Sequence, residues 1–213
     1  MPFKRGILLA FLVGLALLVT FLVTGVSLVP PSLALGPCLK DYTSLVSYQP
    51  RMSQLAGIRF HVGDAEAQLC YGRPLRRERV IYGQLVPFGA IWRLGANEPT
   101  RLSISKPMSL AGIPLPAGRY SLYAEPGPAE WTIYVSRSTL HWGNDISPSV
   151  RAQEVGHATV PVEVLPETVD TFTARIEDHG NAGRVALAFE WERTRITLEL
   201  SRSSLPSNLG LRQ

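Results

Sequence analysis

The densest group of side chains able to do chemistry lies in residues 71–100, YGRPLRRERVIYGQLVPFGAIWRLGANEPT. It holds Arg73, Arg76, Arg77, Arg79 and Arg93 together with Glu78, Asn97 and Glu98. A guanidinium is a planar fork of donors that fits carboxylates and phosphates in pairs. Arg73, Arg93, Asn97 and Glu98 are therefore a candidate site for a small anion or a carbohydrate. The same residues have a structural use, which is the stronger expectation. One of Arg73, Arg79 or Arg93 would pair with Glu98, and Asn97 would satisfy backbone groups at a turn. That use leaves Arg76 and Arg77 in solvent.

Other chemistries leave less trace. His61, His141, His157 and His179 are scattered, with no pair at i, i+2 or i, i+4 and no HExxH, so no metal site is expected. There is no GxSxG elbow, no SxxK and no cysteine with a local histidine partner. Phosphate-binding glycine loops are absent, and no cofactor is implied. A hydrolase built from distant strands would need His141 or His157 against a serine or carboxylate in a cleft. Glu190 and Glu192 flank Trp191 on an alternating strand and read as a solvated face. The chain is expected to be non-enzymatic. Four tryptophans suggest a sugar-stacking surface, but aromatics at strand positions are more often core. Trp131 and Trp191 are assigned to the core, and Trp142, beside His141 and Gly143, is the candidate exposed contact.

The elements that must position these residues are strands. Apolar residues alternate with polar ones in AEAQLCY (65–71), TRLSIS (100–105), RYSLYAE (119–125), EWTIYVS (130–136), TVPVEVL (159–165), TFTARIE (171–177), RVALAFEWE (184–192) and RITLELS (195–201). Period two marks strands with one buried face. Turn residues such as Pro116-Ala117-Gly118 and Pro126-Gly127-Pro128 separate several of them. The pattern predicts an all-β domain over 57–201, an antiparallel β-sandwich or jelly-roll-like barrel, followed by a C-terminal tail at 202–213.

Residues 7–29, ILLAFLVGLALLVTFLVTGVSLV, carry no charge. About 20 such residues cross a bilayer as a helix. Lys4 and Arg5 precede the run, so the N-terminus is expected in the cytoplasm and the rest outside the cytoplasmic membrane, in the periplasm or its equivalent. The run is longer than a signal-peptide core, which favours an uncleaved anchor over residues 1–29. Gly14 and Gly25 are its candidate helix-packing points. Residues 30–56 read as an extended, fairly apolar linker. The chain's formal charge of +4 falls to +2 without Lys4 and Arg5, too little for a nucleic-acid partner. Two cysteines, Cys38 and Cys70, either form a bridge in this oxidising compartment or stay as free thiols.

A set of motifs resembles a known family. They are Tyr71-x-Arg73-Pro74, Arg79-x-Ile81-x-Gly83-x-Leu85-Val86-Pro87, Trp92-Arg93-x-Gly95-Ala96-Asn97-Glu98-x-Thr100 and Leu115-Pro116-Ala117-Gly118-x-Tyr120-Ser121-Leu122, with Trp131. Together they resemble a bacterial exported family catalogued as domain of unknown function twenty-nine-eleven, over about residues 65 to 200. The resemblance implies a secreted or membrane-attached β-domain and carries over no catalytic residue. The apolar run at 7–29 and the basic Leu75-Arg76-Arg77 depart from the family's usual pattern. The leading expectation is an accessory or scaffolding subunit of a larger membrane protein complex, with respiratory and photosynthetic complexes as candidate hosts. The alternative is a ligand-binding module at Arg73, Arg93, Asn97 and Glu98.

Overall fold

The computed structural model describes residues 53–141, 143, 146–178, 180 and 183–202, together with 13 and 38. The expectations for the span at 7–29, for Gly14 and Gly25, for most of the linker, for Trp142 and for the tail beyond 202 lie outside these residues. Among the described residues, no helix is long and apolar enough to cross a membrane.

Among the described residues nine strands follow one another: β1 (Gln54–Val62), β2 (Ala65–Arg73), β3 (Thr100–Ile104), β4 (Met108–Leu110), β5 (Ile113–Leu115), β6 (Gly118–Pro126), β7 (Glu130–Ser136), β8 (Glu154–Glu177) and β9 (Arg184–Arg202). One helical turn, α1 (Pro148–Arg151), precedes β8. β1 opens at Gln54, inside the stretch expected as linker. Val62 pairs with Ala65, so Gly63 and Asp64 form a two-residue hairpin loop, with Gly63 at φ 61°.

Alternation predicted stacked sheets. The strands instead form one open antiparallel sheet in the order β1-β2-β3-β6-β7-β8-β9-β4-β5. The reason lies in β8 and β9. The segments at 159–165 and 171–177 are one strand, and so are those at 184–192 and 195–201. The chain passes between them through irregularities: register shifts after Val164 and Val169, and Glu192 at φ 56°. β8 pairs with β7 through its first part and with β9 from Val162 onward. A bent strand that serves both halves joins what would otherwise be two sheets.

The sheet bends far enough to bring the end of β2 onto the middle of β8. Phe172 N donates to Pro74 O at 3.0 Å, and Ala174 N to Tyr71 Oη at 2.9 Å. Between them lies an aromatic core. Phe172 stacks on Phe189 at 5.7 Å and meets Trp92 edge-on at 5.5 Å. Trp131 and Trp191 are each 2 % exposed, as core tryptophans should be. Ring pairs of this kind contribute about 0.5–1.5 kcal/mol each beyond their buried area.

Cys38 and Cys70 are joined in a disulfide, with Cα atoms 5.6 Å apart. Gly57 faces Cys70 across β1 and β2, and a Cβ there would lie 2.5 Å from Cys38 Sγ. The glycine leaves room for the bridge.

Candidate functional site

The segment between β2 and β3, residues 74–99, borders a cavity of about 420 Å³. Its polar lining is Ser53, Arg77, Arg79, Arg93 and Asn97, and its apolar lining includes Leu75, Leu85, Val86, Trp92 and Trp191. Among the described residues no carboxylate lines it.

Arg79 and Arg93 are placed by bonds to backbone carbonyls. Arg79 donates through Nε to Arg76 O at 2.9 Å and through Nη2 to Leu75 O at 2.8 Å. These bonds close a turn in which Arg77 and Glu78 both adopt left-handed backbone, φ 51° and 60°. Such conformations cost about 1 kcal/mol or more each and persist where neighbours over-determine them. Here the neighbour is β8: Arg76 N donates to Asp170 O at 2.7 Å, and Arg76 Nε meets Asp170 Oδ1 at 3.1 Å. A second turn follows, with Val86 N on Ile81 O at 2.8 Å and Gly83 N on Val86 O at 2.9 Å. The Glu192 carboxylate accepts from Ile81 N at 3.3 Å and Tyr82 N at 3.4 Å, fastening this turn to β9. Tyr82 is then packed between Trp92, Trp131 and Trp191, at 6.1, 4.8 and 6.2 Å. Burial first, and the Glu192 charge second, push its phenol well above the ordinary value.

Trp92 exchanges two backbone bonds with Ala124 of β6, at 2.7 and 2.8 Å. The chain then reverses through Leu94 (φ 53°), Gly95 (φ 143°) and Asn97 (φ 62°). Thr100 Oγ1 donates to Leu94 O at 2.6 Å, and Asn97 Nδ2 to Ser53 O at 3.3 Å. The reversal sits hard against β2. A Cβ on Gly72 would lie 1.8 Å from Ala96 O, and one on Gly143 would lie 2.0 Å from Asn97 O. Arg93 is half-buried, and its Nε donates to Gly95 O at 3.3 Å. Among the described residues it meets no carboxylate. Burial lowers its pKa from the ordinary arginine value, yet a guanidinium starting so high stays charged at neutral pH.

The structure thus divides the four residues marked by the sequence. Arg93 and Asn97 line the cavity; Arg73 and Glu98 do not. Arg73 Nη2 donates to Thr173 Oγ1 at 3.3 Å, and its Nε is buried without a partner. Glu98 is fully buried and pairs with none of Arg73, Arg79 or Arg93, contrary to the expected tie. Arg77, expected only in solvent, lines the cavity with Arg79, and Arg76 is held by Asp170. Left-handed residues other than glycine, such as Arg77 and Glu78, give no sequence signal for that turn.

Glu190 also differs from expectation. It is 6 % exposed, with Arg175 Nε on Oε2 at 2.7 Å and Arg195 Nη1 on Oε1 at 3.2 Å. Two guanidinium groups cover it, so an outward strand position is not a bare one. Ser138 Oγ lies 3.0 Å from His141 Nδ1, the kind of contact a dispersed hydrolase would use. It spans three residues of one turn, Ser138 N is bonded to Ser136 Oγ at 3.1 Å, and neither residue lines the cavity. His157 lies 5.6 Å from the Tyr134 ring. Among the described residues, no group of three or more His, Cys, Asp or Glu is placed to hold a metal.

A family model described as a protein of unknown function, DUF2911, matches residues 53–200. The chain belongs to this family. No curated protein and no solved structure matches it. The residues that carry the DUF2911 resemblance fall into two groups in space. Pro74, Arg79, Val86, Trp92, Arg93, Gly95, Ala96 and Asn97 line the cavity. Pro116 and Tyr120 instead close a turn, with Tyr120 Oη on Pro116 O at 2.6 Å. One part of the DUF2911 motif set builds the sheet and its turns, and another part lines the cavity.

Proposed function

We propose that this DUF2911 domain is a non-enzymatic module that binds a small anion with an apolar body in the cavity at residues 74–97. One observation carries the reading: Arg77, Arg79, Arg93 and the amide of Asn97 line a single cavity, and among the described residues no carboxylate lines it. A half-buried guanidinium without a carboxylate gains most from an anionic guest, because charge-assisted bonds strengthen where water is scarce. Trp92, Leu85 and Val86 supply apolar contact for the rest of such a guest. A carbohydrate fits less well. It needs an open aromatic face, whereas Trp191 is 2 % exposed and stacks on Trp92 at 6.0 Å. The accessory-subunit role draws on residues 7–29 and the linker, outside the described residues, and the cavity adds nothing to it. The run at 7–29 still supports an extracytoplasmic setting on a membrane.

Calorimetric titration of the full chain in phosphatidylcholine nanodiscs with phenyl phosphate and benzoate tests this. Saturable one-to-one binding is expected, weakened roughly tenfold or more in Arg93→Ala. The reading fails if neither anion binds, or if Arg93→Ala binds as well as the wild type.

A further inference from the structure

From residue 53 onward, six large apolar side chains are exposed among the described residues, and four of them lie in one loop: Leu75, Val80, Leu85 and Phe88, each 44–46 % exposed. The other two, Leu140 and Val164, lie elsewhere in the chain. A cluster of this kind on a soluble surface marks an interaction site. The same loop carries Arg76, Arg77 and Arg79 against one acid, Glu78, for a net +2 over residues 75–88. Arg76 is engaged with Asp170, whereas Arg77 and Arg79 are exposed and make no ion pair among the described residues. Phe88 marks the edge of the patch, where it borders Glu125 and Glu130 in a second hollow.

We infer that this loop is a membrane-surface docking element, and that its occupant is the interfacial layer of an anionic lipid bilayer. Apolar tips interleaved with guanidinium groups match that layer, whose headgroups are negative and whose acyl boundary is apolar. The tips stand on two tight turns fixed by their own backbone bonds and by Glu192, so little order has to be gained on docking. The course of the chain brings the same end of the domain toward a bilayer. Ser53, where the described fold begins, lines the cavity with Leu75 and Leu85. Cys38 is fastened to Cys70, and it stands only nine positions after Val29 at the end of the apolar run. Nine residues reach at most about 30 Å. Leu75 lies five residues beyond Cys70 along the chain, about 17 Å when extended. If residues 7–29 cross a membrane, the loop is within reach of its surface. This inference does not depend on what the cavity holds.

Hydrogen exchange of the full chain in nanodiscs tests it, comparing phosphatidylcholine alone with phosphatidylcholine mixed with phosphatidylglycerol. The amides of residues 75–89 should exchange at least about fivefold more slowly in the anionic discs, since one arginine near a charged surface accounts for about that factor. High salt should erase the difference. The double variant Val80→Asp, Phe88→Asp should lose the protection while keeping its circular dichroism and melting temperature, because both side chains are exposed and neither lines the cavity. Equal exchange in both lipids overturns the inference. So does protection that survives the double variant, or that appears only when a second membrane protein is added.

Discussion

Two regions of this domain concentrate arginine, and they use it differently. On the outward face of β8 and β9, Arg175 and Arg195 share Glu190, and Arg195 also reaches Glu163 and Glu177. Those contacts raise the pKa of both guanidinium groups, chiefly through hydrogen bonds to Glu190 and Glu177 respectively. In the 74–97 segment, Arg79 and Arg93 bond to backbone carbonyls and meet no carboxylate among the described residues. The first region consumes its cations as cross-strand fasteners. The second is assembled by close backbone approach and leaves its cations available. Residue type alone does not separate these cases; the partner does.

If the cavity end is built by backbone approach, the largest effect should come from a glycine. Gly72→Ala puts a Cβ on top of Ala96 O, and should lower unfolding stability by about 3 kcal/mol or more in denaturant titrations. A loss under 1 kcal/mol would mean the reversal at 94–97 can shift freely. Next comes Glu190→Gln, which leaves two guanidinium groups without their shared acid. Arg175 is half exposed to solvent, so the expected loss is about 1–3 kcal/mol rather than that of a deeply buried pair. Arg93→Ala is the counterpart in the other region. Among the described residues it breaks no ion pair, and it should change stability by only about 0.5 kcal/mol. If Arg93→Ala and Glu190→Gln cost the same, the distinction between the two regions collapses.

The smallest effect is alkaline. The phenols of Tyr82 and Tyr123 are both raised from the ordinary 10.0, mainly by burial. A folded state that holds its phenolic protons more tightly is favoured below that value. Its advantage falls as pH rises above about 10, where the unfolded chain gives up the proton first. Phenolate absorbance from these two residues should therefore appear together with loss of circular dichroism. Tyr82→Phe should move the alkaline midpoint slightly upward.

Much of the fold was legible because period two is a direct consequence of strand geometry. The apolar residues that alternation marks on β2, β3, β6 and β7 are buried, although β2 and β6 are covered on both faces, and the two strand-borne tryptophans assigned to the core are there. The single sheet was not legible. It depends on β8 and β9 running on through bulges, and a left-handed Glu192 has no sequence signature. At the site, Arg93 and Asn97 stood out because Gly95 announces a turn around them. Arg77 and Arg79 did not, because their turn contains no glycine and is held by contacts with β8, nearly a hundred residues away in sequence. Glu190 and Glu192 were misjudged for a similar reason. Alternation says which side chains point away from the core, but not whether an arginine or a loop covers them.

The most direct test of an available cation against a consumed one is the melting temperature of three full-length proteins with and without saturating phenyl phosphate. These are the wild type, Arg93→Ala and Arg175→Ala, all in phosphatidylcholine nanodiscs. A ligand that binds the folded state alone raises its apparent stability by mass action. Wild type and Arg175→Ala should gain equally, and Arg93→Ala should gain little. An equal gain in Arg93→Ala, or a gain lost in Arg175→Ala, would contradict the assignment of the binding site to the 74–97 cavity.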